Sequence, residues 1–259
     1  MLLQPIEPRR LYRQIADQLR ALIDSGECGV GSRLPPERDL AQRLGVSRAS
    51  VREAVIALEM EGLVEVRMGS GIYVRPVDPA PVDTACETAP ETATEIAIEG
   101  PLEIIRARAM IESELAAHAA RHMKKAQVDA LREAVALMQQ EVDAGQPPDH
   151  GDRLFHTLIA QACENSVLLR IVSELFDERH NPMFARLGSH FETASSWAAA
   201  ITEHHAVVTA IASQSPEAAR LAMSKHLLCS HDRFTASIAR TEPPLNADQN
   251  PKNTPEPSP

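Results

Sequence analysis

The sequence predicts a mainly α-helical protein built from two domains, and three observations predict it. Residues 100–238 repeat apolar side chains at spacings of three and four, with no strand-like alternation. Aromatic residues are only 3% of the chain while alanine is abundant, a balance that favours helix. Between residues 77 and 98 the composition turns to Pro, Thr, Ala and Glu and helical periodicity is lost until the end, which reads as a linker. The expected division is a first domain over 8–76, the linker over 77–98, an all-helical domain over 99–239 and a Pro-rich polar tail over 240–259, read as disordered.

Several classes are disfavoured at the outset. No apolar run approaches the roughly 20 residues needed to span a bilayer, and the start lacks an apolar stretch long enough for a signal peptide. The cysteines at 28, 86, 163 and 229 show no CxxC pairing, so neither a zinc ribbon nor a disulfide framework is indicated. A reduced, cytoplasmic protein with no membrane partner is expected. The net charge of −10 argues against nucleic acid only until it is divided. Residues 1–76 hold 11 of the 26 basic residues and 10 of the 36 acidic ones, so the negative charge lies in the second part.

The elements of the first domain follow in order. Residues 11–24 place Leu11, Ile15, Leu19, Leu22 and Ile23 on one helical face. "LPPERDLAQRLG" sets prolines at a helix start, turns Leu40 and Leu44 inward, and ends on Gly45. "VSRASVREAVIALEMEGL" opens on Ser47 as N-cap, with Val51, Val55 and Leu58 inward and Arg48, Ser50 and Arg52 expected to face out. "LVEVRMGSGIYVR" then reads as strand, Gly-Ser-Gly turn, strand. Two helices about a short Gly turn, the second presenting Arg and Ser from its first turns, followed by a β-wing, form a winged helix-turn-helix. The chemistry suits double-stranded DNA, because Arg forks onto guanine or phosphate and a helix N-terminus binds phosphate.

Residues 10–75 resemble the winged helix-turn-helix domain of the GntR family of bacterial transcription regulators. Carried over residue by residue, that resemblance implies operator contacts from Arg38, Ser47, Arg48, Ala49, Ser50, Arg52 and Gly69. Ala49 offers only van der Waals contact, and Met68 stands where a polar or basic wing residue is common.

In the second domain helices are expected over 100–122, 126–144, 151–164, 166–180, 195–213 and 216–238, with breaks at Gly145 to Pro148, at Asn181-Pro182 and at Ser215-Pro216. "GDRLFHTLIA" puts Asp152 and His156 one turn apart on one helical face. Further imidazoles are available from His204 or His205 and from His226, each within an apolar helix where a histidine needs a partner. One carboxylate and three imidazoles can hold Zn²⁺, Ni²⁺ or Mn²⁺, and composition does not choose among them. The same histidines can instead be satisfied core residues.

The second domain resembles the FCD effector-binding domain of the FadR branch of the same family. The resemblance implies a metal set of Asp152, His156, His204 and His226, with His204 rather than His205 at the matching position. It also implies a small carboxylate effector, clamped by the arginine of an R-x-x-x-E motif at Arg108 and Glu112, with Asn165 at a further polar position where a loop cap is the competing role. Arg106 falls on a different face, and the His118/His122 pair reads as surface. "EPRRLYRQIADQL", "GPLEIIRARAMIES" and "EAARLAMSKHL" are similar to hexuronate-utilisation regulators of this branch, which implies a sugar-acid effector. The expectation is a non-enzymatic, metabolite-responsive repressor that binds a palindromic operator as a homodimer. Its rivals are a metal-dependent hydrolase or lyase, with Glu203 as a conceivable base, and a regulator whose second domain only dimerises.

Overall fold

A computed structural model describes residues 10–76 and 100–236. The linker expected over 77–98 and the tail expected over 240–259 fall outside the described residues. The first domain contains α1 (Leu11–Asp24), α2 (Glu37–Leu44), α3 (Arg48–Met60), β1 (Val64–Arg67) and β2 (Gly71–Val74). The buried face of α1 runs through Tyr12, Ile15, Ala16 and Leu19, so the stripe begins at Tyr12 and leaves Leu11 exposed. Gly45 ends α2 in the left-handed region at φ 66°, which a side chain would strain. The Ser47 hydroxyl then caps α3 by accepting from the Ser50 amide at 3.1 Å.

The wing is a two-stranded antiparallel sheet in register Val64 to Val74 and Arg67 to Gly71. Val64, Val66, Ile72 and Val74 bury one face of it. Gly69 sits at its tip with φ +77°.

The second domain is helical throughout: α4 (Pro101–His122), α5 (Lys125–Asp143), α6 (Asp149–Gln161), α7 (Ser166–Asp177), a 3-10 turn (Glu178–His180), α8 (Pro182–Phe191), α9 (Ala194–Ala212) and α10 (Pro216–Thr235). Proline occupies the first turn of α4, α8 and α10, where its missing N–H has no partner to lose. α8 corrects the expectation that Asn181-Pro182 only interrupts the chain. The Asn181 side chain accepts from the Phe184 amide and Pro182 opens a new helix.

α4 lies along α10, while α5 packs on α6 and α9. Their shared core includes Leu131, Met138, Phe155, Ile159, Val207 and Met223. A separate apolar cluster joins the two domains, formed by Ala49 and Ile56 of α3 with Leu102, Ile105, Phe184, Leu187 and Phe234.

Candidate functional site

The stretch 151–156 reaches the centre of the bundle through its glycine. A Cβ on Gly151 would lie 2.6 Å from the Met138 backbone nitrogen and 2.8 Å from the Ala134 carbonyl. Only glycine lets α6 approach α5 this closely, and the approach carries Asp152 and His156 inward. α9 brings His204 and α10 brings His226 to the same point. All four side chains are buried, and one ligand atom from each lies within 4.8 Å of every other. His205, one position on, is exposed.

The orientation of the rings is the informative feature. The Nδ1 of His156 meets a carboxylate oxygen of Glu112, that of His204 the carbonyl of Ala200 at 2.7 Å, and that of His226 Glu203 at 2.9 Å. With Nδ1–H donated outward, each Nε2 is left as an inward lone pair, the arrangement that orients histidines on a metal. The Nε2 atoms of His204 and His156 lie 2.9 and 3.4 Å from Asp152 Oδ1. Both remain without a correctly aimed hydrogen bond, although buried polar atoms are normally paired. Three imidazole nitrogens and a carboxylate oxygen fit a borderline divalent cation. The buried Asp/His₃ cluster is thus consistent with a metal site, as the resemblance to the FCD domain implied.

The outer groups set the charge states. Burial alone would raise Glu112, but the charges of Arg108 and His156 hold its carboxyl down at about 2. Burial likewise opposes the ionised form of Glu203, and hydrogen bonds from His226 and Arg233 bring it to about 2. Asp152 sits well below the usual carboxylate range because Arg179 overrides its desolvation. Desolvation, then neighbouring His204, lowers His226 to about 3, so its imidazole is neutral near pH 7. His156 is raised, since the attraction of Glu112 exceeds the burial cost, so a cation held by the cluster would compete with a proton at this imidazole.

Beside the cluster lies a cavity lined by Asp152, His204 and His226, together with Arg108, Arg179 and Arg233. Arg108 is buried, donates from Nε to Glu112 at 2.7 Å, and keeps a buried Nη2 with no partner. Arg106 is exposed. One expectation is corrected here. Asn165 does not reach the cavity: it is exposed, and its side chain caps α7 by accepting from the amides of Val167 and Leu168. Arg179 and Arg233 escaped sequence reasoning, because each arginine sits in a polar setting and only the fold turns it toward Asp152 or Glu203.

On the first domain, the Arg38 side chain is 82% exposed, and Ser47, Arg48 and Gly69 are exposed beside it. Met68, 48% exposed, stands next to Gly69 at the wing tip. Ala49, Ser50 and Arg52 depart from the expected outward orientation. All three are buried, Arg52 to 1% exposure, and 11 of the 13 residues of α3 are buried. The reason is a second packed face. Besides Val51, Val55 and Leu58, which face α1 and the wing, Ala49, Arg52 and Ile56 face the helical domain.

Residues 11–74 match the model of the bacterial regulatory proteins of the gntR family, and residues 103–228 match that of the FCD domain. The chain is 38% identical over 227 residues to the Exu regulon transcriptional regulator of Escherichia coli, covering 85% of this chain and 83% of that one. It belongs to the GntR family. Two further relatives are the Uxu operon transcriptional regulator of Escherichia coli, 35% identical with 85% and 84% covered, and the Uxu operon regulator of Haemophilus influenzae, 32% identical with 84% and 79% covered. This GntR-family chain is a DNA-binding regulator with an FCD domain, and its relatives are transcriptional regulators rather than enzymes, so the hydrolase and lyase reading falls. No helix among the described residues is long and apolar enough to cross a membrane.

Proposed function

We propose that this GntR-family chain is a cytoplasmic, homodimeric repressor that leaves its operator when a sugar acid of the hexuronate class binds beside a divalent metal ion. The observation that carries the reading is the convergence of three inward Nε2 atoms and Asp152 Oδ1, each histidine being fixed from behind at Nδ1. Asp152, His156, His204 and His226 would hold the ion. When bound, it supplies a Lewis-acidic charge for the carboxylate and α-hydroxyl oxygens of the effector. Arg108 offers its unpartnered Nη2 to the same carboxylate, and Arg179 and Arg233 add positive charge to the cavity. The relatives named for Exu and Uxu regulation support an effector of this class.

On DNA, Arg38, Ser47, Arg48 and Gly69 would touch the operator, a role that their exposure supports. Arg48→Ala is expected to cost about 1–3 kcal/mol in operator binding, read by a titration at fixed salt. Unchanged affinity removes Arg48 from the interface. Release of the operator requires about 1–3 kcal/mol of coupling between effector and DNA, a change of roughly 5–150-fold.

The reading is tested by a thermal-shift screen of metabolite carboxylates, with and without chelator, on protein purified without a histidine tag. Stabilisation by a hexuronate that chelator abolishes is the expected result, and stabilisation indifferent to chelator overturns the metal-centred site. In the same assay Arg108→Ala should bind metal normally yet show a blunted effector response. A normal dose response excludes Arg108 as the clamp.

A further inference from the structure

We infer that the chain carries an autoinhibitory contact in which the second domain covers the DNA-reading face of α3 and holds Arg52 against the wall of the effector cavity. The inference rests on the proposed reading of α3 and of that cavity. Arg52 donates from Nε to Glu37 at 2.8 Å, and its terminal nitrogens reach Glu37 and the carbonyl of Phe234. Its guanidinium lies 4.9 Å over the ring of Phe191. Phe191 and Phe234 both line the cavity that holds His204 and His226. One arginine therefore touches the ring of Phe191 and the backbone of Phe234, two residues that line the pocket in which the effector would sit.

Three more contacts make this a built interface. The Glu53 carboxylate accepts from the amides of Leu102 and Glu103 at 2.9 and 3.3 Å, capping α4 from the other domain. Arg186 and His190 of α8 meet Glu59 at 2.8 and 2.7 Å. Ala49 and Ile56 complete an apolar cluster with Leu102, Phe184 and Leu187.

The functional consequence is steric. The major groove admits a helix only when its outward face is bare, and here α8 and the end of α10 occupy the stripe of Ala49, Arg52 and Ile56 while Ser47 and Arg48 stay exposed. Ala49 and Arg52 become available to bases only if α3 separates from α8 and α10. The same separation takes Arg52 off Phe191 and Phe234 and opens one side of the cavity. A ligand that packs on those walls favours the closed arrangement, and a duplex favours the open one. Differential affinity for two states is all that release requires. α10 joins the two events, since it carries His226, Arg233 and the Phe234 carbonyl within nine residues.

Hydrogen exchange on the full-length protein, with and without a duplex spanning the promoter of its own gene, tests the contact. Bound duplex should protect α3 and deprotect α8 and the end of α10. A duplex that binds and leaves α8 as protected as before overturns the inference while the DNA reading survives. Failure to bind any such duplex overturns the reading of α3, and the inference with it. The Arg186→Ala/His190→Ala variant removes two partners of Glu59 without altering the first domain. It should bind the duplex about three- to tenfold more tightly. Equal or weaker binding by a folded variant overturns the contact.

Discussion

His204→Ala is expected to lower metal affinity by more than about a hundredfold and to abolish the effector response, while operator binding without effector stays within about twofold. His204 is buried beside Asp152 and His226, with ring centroids 4.1 Å apart in the histidine pair, and its outward nitrogen is already held by the Ala200 carbonyl. No neighbouring side chain on α9 can replace it, because His205 points to solvent. The substitution removes an imidazole whose Nε2 has no hydrogen-bond partner, so the fold survives it. Metal analysis of the purified variant and the thermal shift on adding metal are the readouts. Retained metal, or a melting temperature that metal still raises, shows that the ion is held by other residues.

Arg52→Ala is expected to destabilise the folded chain by about 3–5 kcal/mol, measured by denaturant unfolding followed by circular dichroism. The loss comes less from the missing ion pair than from what remains. Glu37 is left as a buried carboxylate without its cation, and the Phe234 carbonyl loses its donor. The paired change Arg52→Met with Glu37→Met replaces both charges by apolar groups of similar length and should restore stability. Operator binding should fail in both variants if Arg52 reads DNA in the open state. A loss below about 1 kcal/mol in the alanine variant shows that Arg52 is not locked between the domains.

Much of the site was legible before any coordinates. The i,i+4 placement of Asp152 and His156 follows from helical geometry, and a histidine inside each of two later apolar helices supplies the remaining donors. Glu112 came into view only with Arg108, through the R-x-x-x-E motif that the FCD resemblance supplied. The closed face of α3 was not legible. Its second stripe is built from Ala49, Arg52, Glu53 and Ile56, mostly small or charged residues that periodicity assigns to solvent. Asn165 had equal claims as a ligand or a cap, and only its distance in space from the cavity decides for the cap.

Local chemistry along the chain determined the helices and their caps, the wing and the i,i+4 pairing of Asp152 with His156. Those features depend on neighbours within a turn or a hairpin, where backbone geometry alone sets which side chains meet. Tertiary structure alone decided which arginines line the cavity, which atom of each histidine faces inward and that Arg52 is buried between domains. These depend on contacts between residues as far apart as Arg52 and Phe234, and no local periodicity encodes a partner that distant.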